Sequence, residues 1–264
     1  MTWNALKWIA IVSMFIDHTA AVLVTYSPSL AFGLDLYEVM RLVGRMAFPI
    51  FAYGIAQGCV HTHSARDYLL RLFAFAVISE VPYQLALNQP IPPHFDTTNV
   101  FFTLFAGAAC CEIVKFCKSK HRGWAAVFPV TAIVLLCEMR GTDYGGFGVL
   151  FVLLPYLFFE NKAARLIALG SVTAFFYIVV ANFSGFSSAL WWVGNPAQFW
   201  YMVRQTVFAL LGVGLVALYN GQAGSRKGKW FFYIFYPAHL TVLFLLDYGL
   251  HGPTFLSWDQ LLGG

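Results

Sequence analysis

Asp17 and His18 stand side by side in the middle of an apolar run, and charged or hydrogen-bonding residues recur inside the runs that follow. Arg41 and Arg45 lie four apart in the second run, Glu80 in the third, Asn99 and Thr103 at the start of the fourth, and Arg204 and Gln205 in the eighth. His239 lies in the ninth, in Tyr236-Pro-Ala-His239. An ionisable group at the centre of a bilayer costs about 2.5–3.5 kcal/mol to insert, so such residues are read as functional. A histidine can take and return a proton near neutral pH, and a carboxylate can orient its ring or stabilise its charged form. Residues four apart share a helix face, so Arg41 with Arg45, and Asn99 with Thr103, offer converging hydrogen-bond donors to a developing oxyanion. The same acids and histidines would also serve a proton-coupled transporter. As structural bridges, Asp17 would pair with Arg45, and Glu80 with Arg41 or Arg204.

The elements that must position these groups follow from composition. Of 264 residues, 59% are hydrophobic, 18% aromatic and 11% charged, with a mean hydropathy of +0.69. This excludes a soluble globule and a disordered chain. The apolar runs are too long for the alternating strands of a membrane barrel. An all-α, polytopic membrane bundle is left. At about 20 residues per crossing, nine spans (eight to ten allowing for closely spaced runs) fall near 5–26, 37–60, 68–87, 99–117, 124–139, 145–160, 165–183, 198–219 and 230–250. They form one membrane domain over 1–264. Loops are expected at 88–98 and 184–196, where Pro, Gly, Ser and Asn cluster.

With nine spans, Lys7, Arg66, Arg71, Lys115, Lys118, Lys120, Arg122, Lys162, Arg165, Arg226, Lys227 and Lys229 fall on one side, and the opposite loops hold little but Arg140. The positive-inside rule then puts the N-terminus in the cytoplasm and the C-terminus outside, and the +4 net charge reflects topology rather than nucleic acid. The first run is read as a retained span, because Asp17 and His18 interrupt it. The five cysteines form no Cys-x-x-Cys pair and read as packing thiols. His61 and His63 lack a third ligand nearby, so no metal is expected.

Counted at 1.5 Å per residue from the cytoplasmic end of each span, His18, Arg45, Glu80 and Arg204 reach one layer roughly 18–22 Å deep, with His239 nearer 14 Å. A shared cavity at that layer is the expectation.

Taken in order, seven pieces resemble the TraX family of conjugative-pilus proteins. They are Met14-Phe-Ile-Asp17-His18, Gly44-Arg45-Met-Ala-Phe48-Pro49-Ile-Phe51, Ser79-Glu80-Val-Pro82, Asn99-Val-Phe-Phe-Thr103, Tyr144-Gly145-Gly-Phe-Gly148, Tyr219-Asn220-Gly221 and Phe232-Tyr233-Ile-Phe-Tyr236-Pro237-Ala-His239. The family is held to acetylate the N-terminus of pilin and looks related to the broader transmembrane acyltransferases. The resemblance implies an inner-membrane enzyme that takes an acetyl group from cytoplasmic acetyl-CoA and delivers it to a pilin or similar small envelope protein. It implies His18 as the catalytic base. On that reading Glu80 orients the imidazole, Asp17 pairs with Arg45, and Arg45, Asn99 or Thr103 donates to the oxyanion. Arg41, Arg204, Gln205, Tyr236 and His239 line the substrate path. Gln57 departs from the family pattern, which often has Glu there.

Overall fold

The computed structural model describes residues 1–24, 35–87, 97–181, 195–222 and 229–252, and the side chains of all of these except Lys229. The expected loops at 88–98 and 184–196 lie mostly outside this set. Among the described residues ten helices follow one another: α1 Trp3–Leu23, α2 Leu36–Gly44, α3 Ala47–His61, α4 Ala65–Leu87, α5 Val100–Ser119, α6 Val127–Met139, α7 Gly145–Leu157, α8 Lys162–Phe175, α9 Pro196–Ala217 and α10 Lys229–His251. A 3-10 turn, Gly123–Ala126, leads into α6, and a π turn, Phe176–Val180, extends α8. Among the described residues seven stretches are long and apolar enough to cross a membrane, with α2 and α3 counted as one, and Gly123–Met139 and Gly145–Leu157 are shorter apolar helices. The nine predicted runs are therefore present in order, each within a few residues of its expected bounds. The chain is a membrane protein, and its outer faces agree. Val77, Ile78 and Val81 on α4, Phe128 and Leu135 on α6, and Val242 and Leu245 on α10 are all exposed.

The second run is one span by hydropathy but two helices by geometry. Pro49 has no N–H to give to the Arg45 carbonyl, and its ring crowds that oxygen, so the helix breaks at Arg45-Met46. Arg45 N–H donates to the Leu42 carbonyl and Met46 N–H to that of Val43, in one tight turn. Carbonyls loosened by the break find side-chain donors: Ser13 Oγ donates to the Val43 oxygen at 2.6 Å, and Arg45 Nε to the Arg41 oxygen at 3.0 Å. A broken helix is tolerated at membrane depth where it is buried in protein or lines a cavity.

α3 sits at the centre and packs on α1, α5, α7, α8 and α9. Half of its buried residues are small, Ala47, Ala52, Ala56 and Cys59, interleaved with Phe48, Pro49, Ile50 and Tyr53. Small side chains let backbones approach where the hydrophobic effect gives no net drive between helices in lipid. Cys59, Cys110, Cys111 and Cys137 are buried free thiols, and Cys117 is half-buried. Close approach matters most at Gly44, where a Cβ would stand inside the Asp17 side chain. That absence of a side chain lets α2 lie against α1 with the Asp17 carboxylate at the break.

Candidate functional site

The break in the second span opens onto a partly open cavity of about 490 Å³, walled by residues from α1 to α5, the loop before α7, the π turn after α8, α9 and α10. Asp17 and His18 enter it from α1, Arg41 from α2, Arg45 from the break, Gln205 from α9 and Tyr236 from α10. Asp17 binds both arginines, Oδ2 accepting from Arg41 Nη1 at 2.8 Å and Oδ1 from Arg45 Nη2 at 2.7 Å. The expected Asp17–Arg45 pair thus exists, with Arg41 as a second partner. The three side chains are 13%, 29% and 17% exposed for Asp17, Arg41 and Arg45, so most of each is withdrawn from solvent.

His18 does not meet a carboxylate. Its Nδ1 lies 2.7 Å from Nε2 of His239, and His239 Nδ1 lies 2.7 Å from the Phe235 carbonyl oxygen. That oxygen can only accept, so in the neutral rings Nδ1 of His239 carries the hydrogen and its Nε2 has the lone pair. Nε2 in turn accepts from His18 Nδ1–H, which leaves the lone pair of His18 on Nε2. His18 lines the cavity and His239 does not, and with Nδ1 committed to His239 the lone pair on Nε2 is the one left for a substrate.

Four expectations are corrected here. Glu80 is not the orienter of His18. It latches α4 to the start of α5, its Oε2 accepting from Asn99 Nδ2 at 2.6 Å and from Asn99 N–H at 3.2 Å, while Oε1 accepts from Gln84 at 2.6 Å. Tyr83 and Leu87 take the cavity side of α4 instead. Asn99 and Thr103 are not among the cavity's lining residues. Asn99 caps α5 and also donates to the Ala76 carbonyl at 2.8 Å, and the Thr103 hydroxyl donates to the Asp143 carbonyl. Arg204 pairs with Glu38 at 2.5 Å, because adjacent residues on α9 point about 100° apart and Gln205 takes the cavity side. His239 is not shallower than His18. Trp8 meets Phe231 and Phe232, and Phe15 meets Phe235, so α10 simply begins about one turn deeper than α1.

The structure also adds residues that chemistry at this spacing did not suggest. Asp143 and Tyr144, between α6 and α7, reach into the cavity, as do Phe176 and Tyr177 from the π turn. Tyr144 has a left-handed backbone (φ 66°), as does Gly145 (φ 55°), a conformation that is uncommon for tyrosine. The loop is held by Thr98 and Thr142, which bridge, by Thr103 on the Asp143 carbonyl and by Glu138 on Gly146 N–H at 2.9 Å. Its product is a Tyr144 ring stacked on Phe48 at 3.6 Å, directly beside the helix break. π turns recur at functional sites, and this one turns two consecutive residues toward the same cavity. The Tyr144-Gly-Gly-Phe-Gly148 piece was a visible signal; the strain that aims Tyr144 was not.

Burial pushes the Asp143 carboxyl up to about 6 against the pull of Arg45. An acid raised above its unfolded value holds its proton longer in the folded state, so its contribution to stability declines as pH rises from about 4 to 6. Asp143→Asn removes this titration. The thermal midpoint of the variant should therefore gain on that of the wild type between pH 4 and 7, and a constant difference across that range would refute the assignment.

A membrane protein of many helices, with a charged cavity at a broken span and a histidine held in one tautomer at its wall, is the class that fold and site define. The chain belongs to the TraX family, whose model, described as TraX protein, matches residues 2–247. It is 28% identical over 251 residues to Protein TraX of Escherichia coli, covering 92% of this chain and 86% of that one. It is 26% identical over 251 residues to the probable fimbrial assembly protein FimC, serogroup H1, of Dichelobacter nodosus, covering 90% and 92%. No solved structure matches it.

Proposed function

We propose that this protein is a membrane-embedded acetyltransferase that moves an acetyl group from acetyl-CoA to an amine of a pilin or similar small envelope protein. The names of its two relatives, one TraX and one a fimbrial assembly protein, support a role in pilus-related processes. The observation that carries the chemistry is the His239–His18 contact, which commits His18 Nδ1 and leaves Nε2, on a residue that lines the charged cavity. His18 Nε2 takes the proton of the attacking amine as nitrogen adds to the thioester carbonyl. The guanidinium of Arg45 stabilises the oxyanion, and collapse breaks the carbon–sulfur bond. The proton returns through His18 to the departing thiolate, leaving an amide and free coenzyme A.

A second, apolar space of about 270 Å³ supports a path for the donor. It shares Met14, Phe51, Val100 and Tyr236 with the charged cavity and runs along α1 to Lys7 and Trp3. The basic residues gather at that same end of the spans, which fits a cytoplasmic N-terminus in a bacterial inner membrane and a donor entering from the cytoplasm. The C-terminus is then periplasmic. Acetyl-CoA is a substrate here and the reading needs no metal.

The test is thermal shift of the detergent-purified protein against acetyl-CoA, with free-thiol release in parallel. Saturable stabilisation and slow thiol release are expected. If no acyl-CoA stabilises the protein, the donor reading fails and solute flux becomes the assay of choice.

A further inference from the structure

A separate cavity of about 380 Å³ lies at the N-terminal end of α8, between α3 and the end of α9, and no step of the chemistry above uses it. Its cations are Lys162 and Arg165, with His61 beside them, and among the described residues no acidic side chain lines it. Among the described residues neither Lys162 nor Arg165 is in an ion pair. The Arg165 guanidinium is held in place, with Nη1 donating to the Phe159 carbonyl at 2.8 Å and its plane over the rings of Phe159 and Tyr53 at 4.5 and 5.4 Å. Its Nε is buried and has no partner. Gln57 Nε2 donates to the Tyr219 hydroxyl at 2.6 Å, and its Oε1 is buried without a partner.

A buried donor without an acceptor is costly. The Arg165 Nε donor, beside two cations outside any ion pair, describes a site that lacks an anion, and a planar guanidinium suits a phosphate that can accept two hydrogen bonds. The neighbouring apolar space ends at Trp3, whose indole meets Tyr53 and Tyr219 edge-on at 6.1 and 6.2 Å. Both tyrosines line the basic cavity, so Trp3 is the partition between the two spaces. From Gln57 back to Ala47, where α3 starts beside the break at Arg45, is about 15 Å at 1.5 Å per residue, the distance the donor's arm would have to span.

We propose that this cavity is a phosphate-binding site and that the phosphates it takes are those of the coenzyme A donor; the second clause rests on the reading above. The probes are adenosine 3′,5′-bisphosphate, acetyl-CoA, acetyl-pantetheine, which has no phosphate, and short-chain phosphatidylglycerol in mixed micelles. Each is titrated against wild type, Arg165→Gln and Lys162→Glu, the last at an exposed position where folding is not at stake. The bisphosphate should stabilise the wild type, and both variants should weaken it and acetyl-CoA at least about 10-fold while leaving acetyl-pantetheine unchanged. Acetyl-CoA bound equally by all three proteins would overturn the donor's anchoring here and leave the transferase reading intact. Phosphatidylglycerol alone responding to the variants would keep the phosphate site and overturn the donor as its source. Bisphosphate binding without any acetyl-CoA response would keep the site and remove the donor reading. If neither phosphate probe responds to the variants, the site is refuted.

Discussion

If the protein is the proposed acetyltransferase, His18→Ala should lower thiol release from acetyl-CoA by about 10²–10⁴-fold, the usual contribution of a positioned general base. The variant should insert and hold its thermal midpoint, because among the described residues the imidazole makes a single side-chain hydrogen bond, to His239. His239 is a positioning residue and its replacement separates two accounts. If it only fills space, His239→Ala slows turnover without changing the pH profile. If it fixes the tautomer, His239→Ala lets the His18 lone pair sit on either nitrogen, turnover drops about 10-fold or more, and the acid limb of the pH profile moves. His239→Gln, which keeps an acceptor near His18 Nδ1, should restore part of the loss. Unchanged turnover in His18→Ala would remove this residue from the chemistry altogether.

The layer of charge was legible in the sequence because cost forces it to be. Asp17, His18, Arg41 and Arg45 stand in runs otherwise apolar, and counting residues placed His18, Arg45, Glu80 and Arg204 at one depth. The direction each side chain takes was less legible. Glu80 lies at a plausible depth but faces α5, where Asn99 consumes it. Arg204 faces Glu38, and its neighbour Gln205 faces the cavity. Depth follows from counting along one helix, whereas direction depends on which neighbour the helix packs against. The register between α1 and α10 is of this second kind, and it alone brings His239 level with His18. The break at Arg45 was foreshadowed by Pro49, three residues into α3, but hydropathy averages across such a break and read a single span. Asp143 and Tyr144 escaped because a loop between two short helices reads as a connection. Only the left-handed backbone at Tyr144 and the threonine and glutamate contacts around it turn that connection inward.

Asp17→Ala should have the largest effect on stability. One carboxylate answers two guanidiniums in a partly enclosed cavity, and each gains a charge-assisted hydrogen bond from it. Removing one partner of a buried ion pair typically costs about 3–5 kcal/mol, since the remaining charge has no counter-ion. The thermal midpoint in detergent should fall steeply. Arg41→Ala should cost less, because Asp17 and Arg45 still pair, although Arg45 must then keep its bond to the residue-41 carbonyl unaided. These losses alone do not tell a catalytic cluster from a structural one. The discriminating variant replaces all three charges with apolar groups of similar size, Asp17→Leu with Arg41→Met and Arg45→Met. Buried ion clusters exchanged for apolar side chains are often neutral or more stable. The triple variant should therefore regain most of the midpoint lost in Asp17→Ala while transferring no acetyl group, because no cation is left to meet the oxyanion. A triple variant that is stable and fully active would reduce the charge layer to packing, and the oxyanion's partner would then have to be sought among Tyr144, Tyr177 and Gln205 around the same cavity.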